Sequence, residues 1–331
     1  HLKGSALVIS NVNINSSCDL NEQYNLADDR IDVIGKALHS NVDYRTPVRV
    51  EQSRVSSNFN QDSFESAVLK AKQHITDGDI FQLVLSQRFE RKTSVDPTTL
   101  YRALRTINPS PYMFHLKIKD FDIIGASPEL LVKVEEGTVE IRPIAGTRQR
   151  GETETEDKLL ALDLINDEKE CAEHLMLLDL GRNDVGRVSE YGSVTIPENM
   201  KIENYSHVMH IVSDVKGKLA KDKDSFDALM SGFPAGTVTG APKIRAMEII
   251  HELEQERRDI YSGAVGFFDF TGNVNTCIAI RTMIMKDGTV HFQSGAGIVH
   301  DSDPTKEFEE TVNKAKAIMA AIDFAENGLV S

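Results

Sequence analysis

Apolar residues along the chain fall into two kinds of spacing. Over 64–76, Phe64, Val68, Ala71 and Ile75 recur every three or four positions, which predicts a helix burying one face, with Gly78 as its stop. The same period predicts helices over 26–38, with Ile31, Ile34, Ala37 and Leu38 on one face; over 97–107, opened by Asp96; and over 156–180, a long helix carrying Leu160, Leu164, Leu175 and Leu178. Further helices are predicted from 225, over 242–255 and over 305–324. Alternation and short apolar runs predict strands over 5–10, 80–88, 191–196, 205–215, 261–269, 274–285 and 289–299, and two hairpins, 112–118 with 121–125 and 130–135 with 138–143. Glu136-Gly137 supplies the tight turn of the second hairpin. Hairpins beside long helices predict an α+β protein with two packed antiparallel β-sheets flanked by helices.

Composition narrows the partners. Among 331 residues, 51 are acidic and 37 basic, a formal net charge of -14 that opposes general binding to nucleic acid or an anionic membrane. A small anionic substrate would need a local basic pocket and a metal against this field. Cys18, Cys171 and Cys277 are scattered and odd in number, the usage of a reducing, cytoplasmic compartment. No run approaches the roughly 20 apolar residues of a membrane span. The chain opens on His1, directly in a strand pattern with no preceding partner, as a fragment would.

Candidate chemistry sits on two helices. Glu170 and Glu173 are three apart, about 300° around a helix, and so share a face, with His174 beside them; Glu307 and Glu310 repeat the spacing, with Lys314 one turn later. Facing pairs would make an oxygen-rich site suited to Mg2+, although glutamates at this spacing also line ordinary solvated faces. Gly181-Arg182-Asn183-Asp184 is expected to end the first helix, and Gly295-Ala296-Gly297 precedes the second. The loop 231–241 is rich in Gly and Pro and feeds a helix, so its free N–H groups could hold a carboxylate; it lacks the Gly-Lys-Ser/Thr order of a phosphate loop. Alternation points Arg281 and His210 inward. A half-buried arginine calls for a carboxylate partner, whereas a hydrogen-bonded structural role is as good an account of His210.

Several motifs carry a resemblance: Asp79-Ile-Phe-Gln-Leu-Val-Leu-Ser86, Asn108-Pro-Ser-Pro-Tyr-Met-Phe114, Gly125-Ala-Ser-Pro-Glu129, Arg142-Pro-Ile-Ala-Gly-Thr-Arg148, the run from Glu173 to Asp184, and the loop around Thr237. Over nearly the whole chain they resemble the chorismate-binding enzymes, and among them the large subunit of anthranilate synthase. The resemblance implies a chorismate-binding catalytic core over 61–331, with 1–60 as the remnant of an N-terminal region and its lead-in. It further implies that Glu173 and Glu310 hold Mg2+ directly, with Glu170 and Glu307 reaching it through water. Tyr261, Arg281 and the Gly295, Ala296 and Gly297 backbone would bind the enolpyruvyl carboxylate, with Thr237 and Lys314 completing the polar lining. Glu129 would be the general acid near the departing hydroxyl, and His210 would assist departure or orient the ring.

Within that family the nucleophile depends on two positions. Isochorismate and salicylate synthases carry a water-activating lysine where this chain has Gln82; aminodeoxychorismate synthases carry a lysine where it has Ala145. The resemblance therefore implies ammonia as nucleophile, delivered by a glutamine amidotransferase subunit, and an overall conversion of chorismate to anthranilate and pyruvate through aminodeoxyisochorismate. Alternatives are a 4-amino-4-deoxychorismate synthase component, or an inactive fragment retaining only partner binding. The family's N-terminal Leu-Leu-Glu-Ser stretch, which helps bind feedback tryptophan, has no counterpart here. Asn108, Pro111, Tyr112, Met113 and Cys277 resemble the other half of that inhibitor site, so tryptophan binding is expected to be weakened or lost, and apolar surface to be exposed.

Overall fold

The computed structural model describes residues 7–14, 19–40, 49–205 and 208–330. Two compact units divide it, His1–Thr46 and Pro47–Ser331. In the first, helix α1 (Leu20–His39) starts at Asp19, whose carboxylate accepts from the backbone N–H groups of Asn21 and Glu22. That cap places its start ahead of the predicted 26. Residues 7–10 are irregular, with Leu7 and Ile9 exposed, so the described part of the strand predicted over 5–10 does not form; residues 5 and 6 lie outside the described residues. Alternation without a partner strand leaves the ladder unmade.

The second unit runs β1 (Ser56–Ser57), α2 (Gln61–Thr76), β2 (Gln82–Lys92), α3 (Pro97–Ile107), β3 (Tyr112–Lys117), β4 (Asp122–Ser127), β5 (Leu130–Glu135), β6 (Thr138–Ile141), β7 (Ile144–Gln149), α4 (Glu154–Asn166) and α5 (Glu168–Gly186). It continues with β8 (Lys201–Asn204), β9 (Val208–Val212), β10 (Val215–Lys218), α6 (Ser225–Gly232), a 3-10 turn at Gly236–Val238, β11 (Gly240–Ala241), α7 (Lys243–Leu253), β12 (Ala264–Phe268), β13 (Val274–Ile278), β14 (Thr282–Lys286), β15 (Thr289–Ile298) and α8 (Pro304–Glu326). Helices flank antiparallel sheets, the α+β arrangement predicted. The hydrogen-bonded ladders form three sheets: β1-β2-β15-β14-β4-β3 with β11 added to β2, β10-β6-β5-β13-β12, and β7-β9-β8.

Three predicted elements are broken, and two of the breaks position the site. The helix expected over 156–180 is two helices, because Asp167 leaves the helical region (φ -74°, ψ 109°) and caps α5 by accepting from the N–H groups of Lys169 and Glu170. Leu164 packs on Met209 and Ile211, whereas Leu178 packs with Val132, Val139 and Val215, so one apolar period serves two different cores. The strand expected over 274–285 is β13 and β14, members of different sheets, parted by Arg281 in the left-handed region at φ 49°. The run expected over 205–215 likewise divides into β9 and β10, and 191–196 contributes only an isolated bridge at Thr195.

Helices α3 and α8 cover one part of the seven-stranded sheet through Leu100, Leu104, Ile318 and Ile322 against Phe89, Ile124, Met283 and Phe292. Helices α2 and α7 cover another through Phe64, Val68 and Ile249 against Leu83, Leu85 and Ile298. The ten-residue β2–β15 ladder runs through both regions and pairs Gly295 with Ser86 and Gly297 with Val84. On β12, Phe267 and Phe268 are exposed.

Candidate active site

Helices α5 and α8 bring the two glutamate pairs toward each other. Burial raises the Glu173 carboxyl above its ordinary range, and the charges of Glu170 on its own helix and Glu310 on the opposite helix add to the shift. Glu307 is raised by burial too, with Glu310 adding to it and a hydrogen bond from Ser302 opposing it. Each of the other carboxylates has a partner: Gln82 Nε2 donates to Glu173 Oε1 at 3.3 Å, Arg148 Nη1 to Glu170 Oε1 at 3.2 Å, and Lys314 Nζ lies 2.7 Å from Glu310 Oε1. Among the described residues no three His, Cys, Asp or Glu side chains converge tightly enough to form a ready-made metal centre. The donor set nonetheless fits a hard divalent cation: four carboxylates, two of them held up in pKa partly by mutual repulsion that such a cation would relieve.

Behind this wall lies a floor made of strand ends and turns. Glu129, just before β5, accepts a hydrogen bond from Thr237 Oγ1 at 2.8 Å. Burial pushes its carboxyl up to about 7, against the pull of that hydroxyl and of the Lys314 and Arg281 charges. Burial likewise lifts Tyr261 to about 12. A Cβ on Gly295 would fall 2.9 Å from the Tyr261 hydroxyl, and one on Gly297 would fall 2.7 Å from Gln82 Nε2 and 3.9 Å from Glu173 Oε1. Both glycines are therefore required by close approach, and they join floor to wall. Lys314 Nζ donates to Gly295 O at 3.0 Å, tying α8 to the same strand. Ala296 faces away, fully buried against Phe64 and Leu83.

His210 lies on β9. Its Nδ1 is 2.9 Å from Gly146 O, which can only accept, so Nδ1 carries the proton and Nε2 is left as an acceptor. Burial lowers its pKa, opposed by the hydrogen bond to Gly146 O and aided by the Arg281 charge. Tyr205 packs edge-on against it with centroids 5.3 Å apart. By contrast, His174 is fully buried away from the acidic face, bonded to Ser213 Oγ at 2.7 Å and lowered to about 4 by burial.

Gly181-Arg182-Asn183-Asp184 does not end its helix; α5 continues to Gly186, and buried Asp184 pairs with Lys243 Nζ at 2.7 Å. Lys243 Nζ also donates to Gly232 O at 3.0 Å, so this pair anchors both ends of the Thr237 loop. Of the residues resembling an inhibitor site, Pro111 and Tyr112 line a cleft of about 390 Å³ with Tyr205, Arg142 and Asn275. Cys277 is close enough to Tyr112 to influence its ionisation. Met113 alternates to the other face and packs in the α3–α8 core, while Asn108 caps the end of α3. Sequence reasoning gave no role to Arg148 and Asp184, which it quoted only within motifs, or to Lys243, Glu254 and Arg258, because their partners include residues distant in the chain.

Four carboxylates beside a buried acid, an arginine and a tyrosine on strand ends could hold a divalent cation and, with it, a small anionic molecule. The model of chorismate binding enzymes matches residues 9–320, and the chain belongs to that family. It is 52% identical over 334 residues to anthranilate synthase component 1 of Acetivibrio thermocellus, covering 98% of this chain and 67% of the relative. It is 59% identical over 270 residues to the protein of that name from Aquifex aeolicus (strain VF5), covering 82% of this chain and 55% of the relative. The crystal structure of anthranilate synthase component I from Streptococcus pneumoniae TIGR4 superposes with a TM-score of 0.83 at 43% identity, over 92% of this chain and 68% of that one. The chain thus spans about half to two thirds of the length of these relatives.

Proposed function

We propose that this chain performs the synthase half-reaction named in its relatives, converting chorismate and ammonia to anthranilate, pyruvate and water. The observation that carries the reading is the grouping of Glu129, Thr237, Tyr261 and Arg281 beside the four glutamates, with Lys314 reaching from the glutamate helix to Gly295, and with Gln82 and Ala145 where an activating lysine would otherwise stand. Mg2+ held by Glu173 and Glu310, with Glu170 and Glu307 behind them, would supply charge neutralisation at the ring carboxylate and polarisation of the leaving hydroxyl.

Arg281 and Tyr261 bind the enolpyruvyl carboxylate against Gly295 and Gly297. Glu129, still protonated near neutrality, gives its proton to the C4 hydroxyl as the C–O bond breaks and water departs. Ammonia forms the C2–N bond and sheds one proton, which balances the proton that Glu129 gave to the departing water. Loss of the C2 proton and cleavage of the enolpyruvyl C–O bond then release pyruvate and leave an aromatic ring. Neutral His210, with Nε2 free to accept, orients the departing hydroxyl or the incoming ammonia.

Free ammonia is scarce at neutral pH, which favours a glutamine amidotransferase partner in the cytoplasm as its source. The cleft at Pro111 and Tyr112 is read as the retained part of a tryptophan inhibitor site, and a tryptophan titration of the activity tests it. Among the described residues no helix is long and apolar enough to cross a membrane. The test of the reaction is mass-resolved product analysis with chorismate, Mg2+ and excess ammonium at mildly alkaline pH. Anthranilate and pyruvate, lost without metal and in Glu310→Gln, are expected; 4-amino-4-deoxychorismate would overturn the product assignment.

A further inference from the structure

Arg258 belongs to none of the site groups above, yet three separate parts of the site meet on its guanidinium. Nη2 donates to Val84 O at 2.7 Å and Nη1 to Val238 O at 2.6 Å, and Cζ lies 5.5 Å from the centroid of the Tyr261 ring. Val84 is two residues beyond Gln82 and pairs with Gly297. Val238 follows Thr237, whose hydroxyl holds Glu129. One planar cation is therefore bonded to the strand carrying Gln82, to the loop carrying Thr237, and to the ring of Tyr261. Its own partner, Glu254, accepts from Arg258 Nε at 2.8 Å and Nη2 at 2.6 Å, and also from Ser86 N at 2.9 Å and Ser86 Oγ at 2.7 Å. Ser86 is paired with Gly295 in the ladder.

Backbone geometry supplies an independent observation. On either side of Tyr261, Asp259 (φ 48°) and Ser262 (φ 64°) occupy the left-handed region without being glycine. Such residues persist where the surroundings over-determine them. Both members of the ion pair are withdrawn from solvent, with side chains 13% and 4% exposed.

We propose that Arg258, braced by Glu254, is a positioning residue that sets the spacing among Tyr261, Thr237 and the Gln82–Gly297 ladder, so that one substrate carboxylate meets all three in register. The substrate in this statement rests on the functional reading above. Lysine keeps the charge but lacks the planar fork that reaches two carbonyls and a ring face at once.

Arg258→Lys, with Glu254→Gln as a milder second variant, tests it in two ways. Hydrogen–deuterium exchange needs no activity: it is expected to quicken together in peptides covering 82–86, 236–239 and 258–263 while the chain stays folded. A change confined to 254–263 would overturn the proposal. In the chorismate and ammonium assay, Arg258→Lys is expected to raise KM and lower kcat/KM on the order of 100-fold. Combined with Tyr261→Phe, it should lose less than the product of the two single effects; independent, multiplicative losses would overturn the coupling. If the unaltered chain makes no anthranilate, the functional reading falls, and the exchange experiment still decides the positioning role.

Discussion

The acidic wall and the floor of the site differ in how they are built and in how they respond to water. On the wall, Glu170, Glu173, Glu307 and Glu310 project from two helices at a spacing of three, and Glu310 is 47% exposed. On the floor, Glu129, Arg281 and Tyr261 sit at strand ends and in turns, where Asp259, Ser262 and Arg281 adopt left-handed backbone. On the wall, Glu173 and Glu307 are raised by burial and further by neighbouring carboxylates, a repulsion that a cation would relieve, whereas on the floor burial pushes Glu129 up to about 7 against the pull of Thr237, Lys314 and Arg281. The same residue type can thus serve as a metal ligand in one region and a proton donor in the other, because a carboxylate among carboxylates gains from a cation whereas one buried beside a hydroxyl gains from a proton.

Four measurements would break or sharpen this contrast. The largest effect is expected for Glu310→Gln: losing a metal ligand removes several kcal/mol of transition-state stabilisation, roughly 1,000-fold in kcat/KM. Its melting temperature should barely change, since the exposed Lys314 pair it breaks is worth at most about 1 kcal/mol. A large drop in stability would mean that the wall is structural.

Glu129→Gln should lower kcat by about 100- to 10,000-fold. With free ammonia saturating, the unaltered chain should lose activity as pH rises through about 7, because the proton donor is spent there, and the variant should lack that limb. Stability has a matching sign. The folded carboxyl holds its proton more tightly than an unperturbed glutamate at 4.5, so stability is fully present below about 4.5 and declines as pH climbs through about 7. Thermal melts of the two proteins across this window should converge at low pH and separate at high pH; parallel curves would place Glu129 in an ordinary solvated setting.

Mg2+ without substrate should raise the melting temperature, by the equivalent of about 2.7 kcal/mol at 100 times its Kd. The shift should vanish in Glu173→Gln, and its persistence there would move the metal off the wall. The smallest effect is expected for Asp167→Ala, which removes the cap of α5 at about 1 kcal/mol and should also weaken the response to Mg2+ by misaiming Glu170. An unchanged Mg2+ titration in that variant would show that the break between α4 and α5 does not aim the wall.

Helix α2, the Asp96 cap of α3 and the Glu136-Gly137 hairpin turn form where the chain alone predicts them. Each is governed by neighbours within a few residues. The glutamate pairs were legible for the same reason: helical period puts positions three apart on one face. The break at Asp167 had a local signal, an Asn-Asp pair followed by glutamates, but the apolar period ran straight through it because two different cores share one phase. At Arg281 the apolar run of 274–285 concealed a crossing between sheets. Arg258 offered locally only an acid four residues before it and a tyrosine three after, whereas Val84 and Val238 reach it from distant segments.

By itself, then, the chain determined its helical faces, caps and tight turns, its family, and the chemical types available to the site. Tertiary structure decided that the two glutamate pairs face each other, that Glu129 keeps a proton near neutrality, and that Tyr261 and Thr237 are held from behind by one arginine. The physical reason is range: capping and periodicity act over a few residues, whereas desolvation, charge–charge coupling and shared hydrogen bonds depend on which distant segments the packed core brings together.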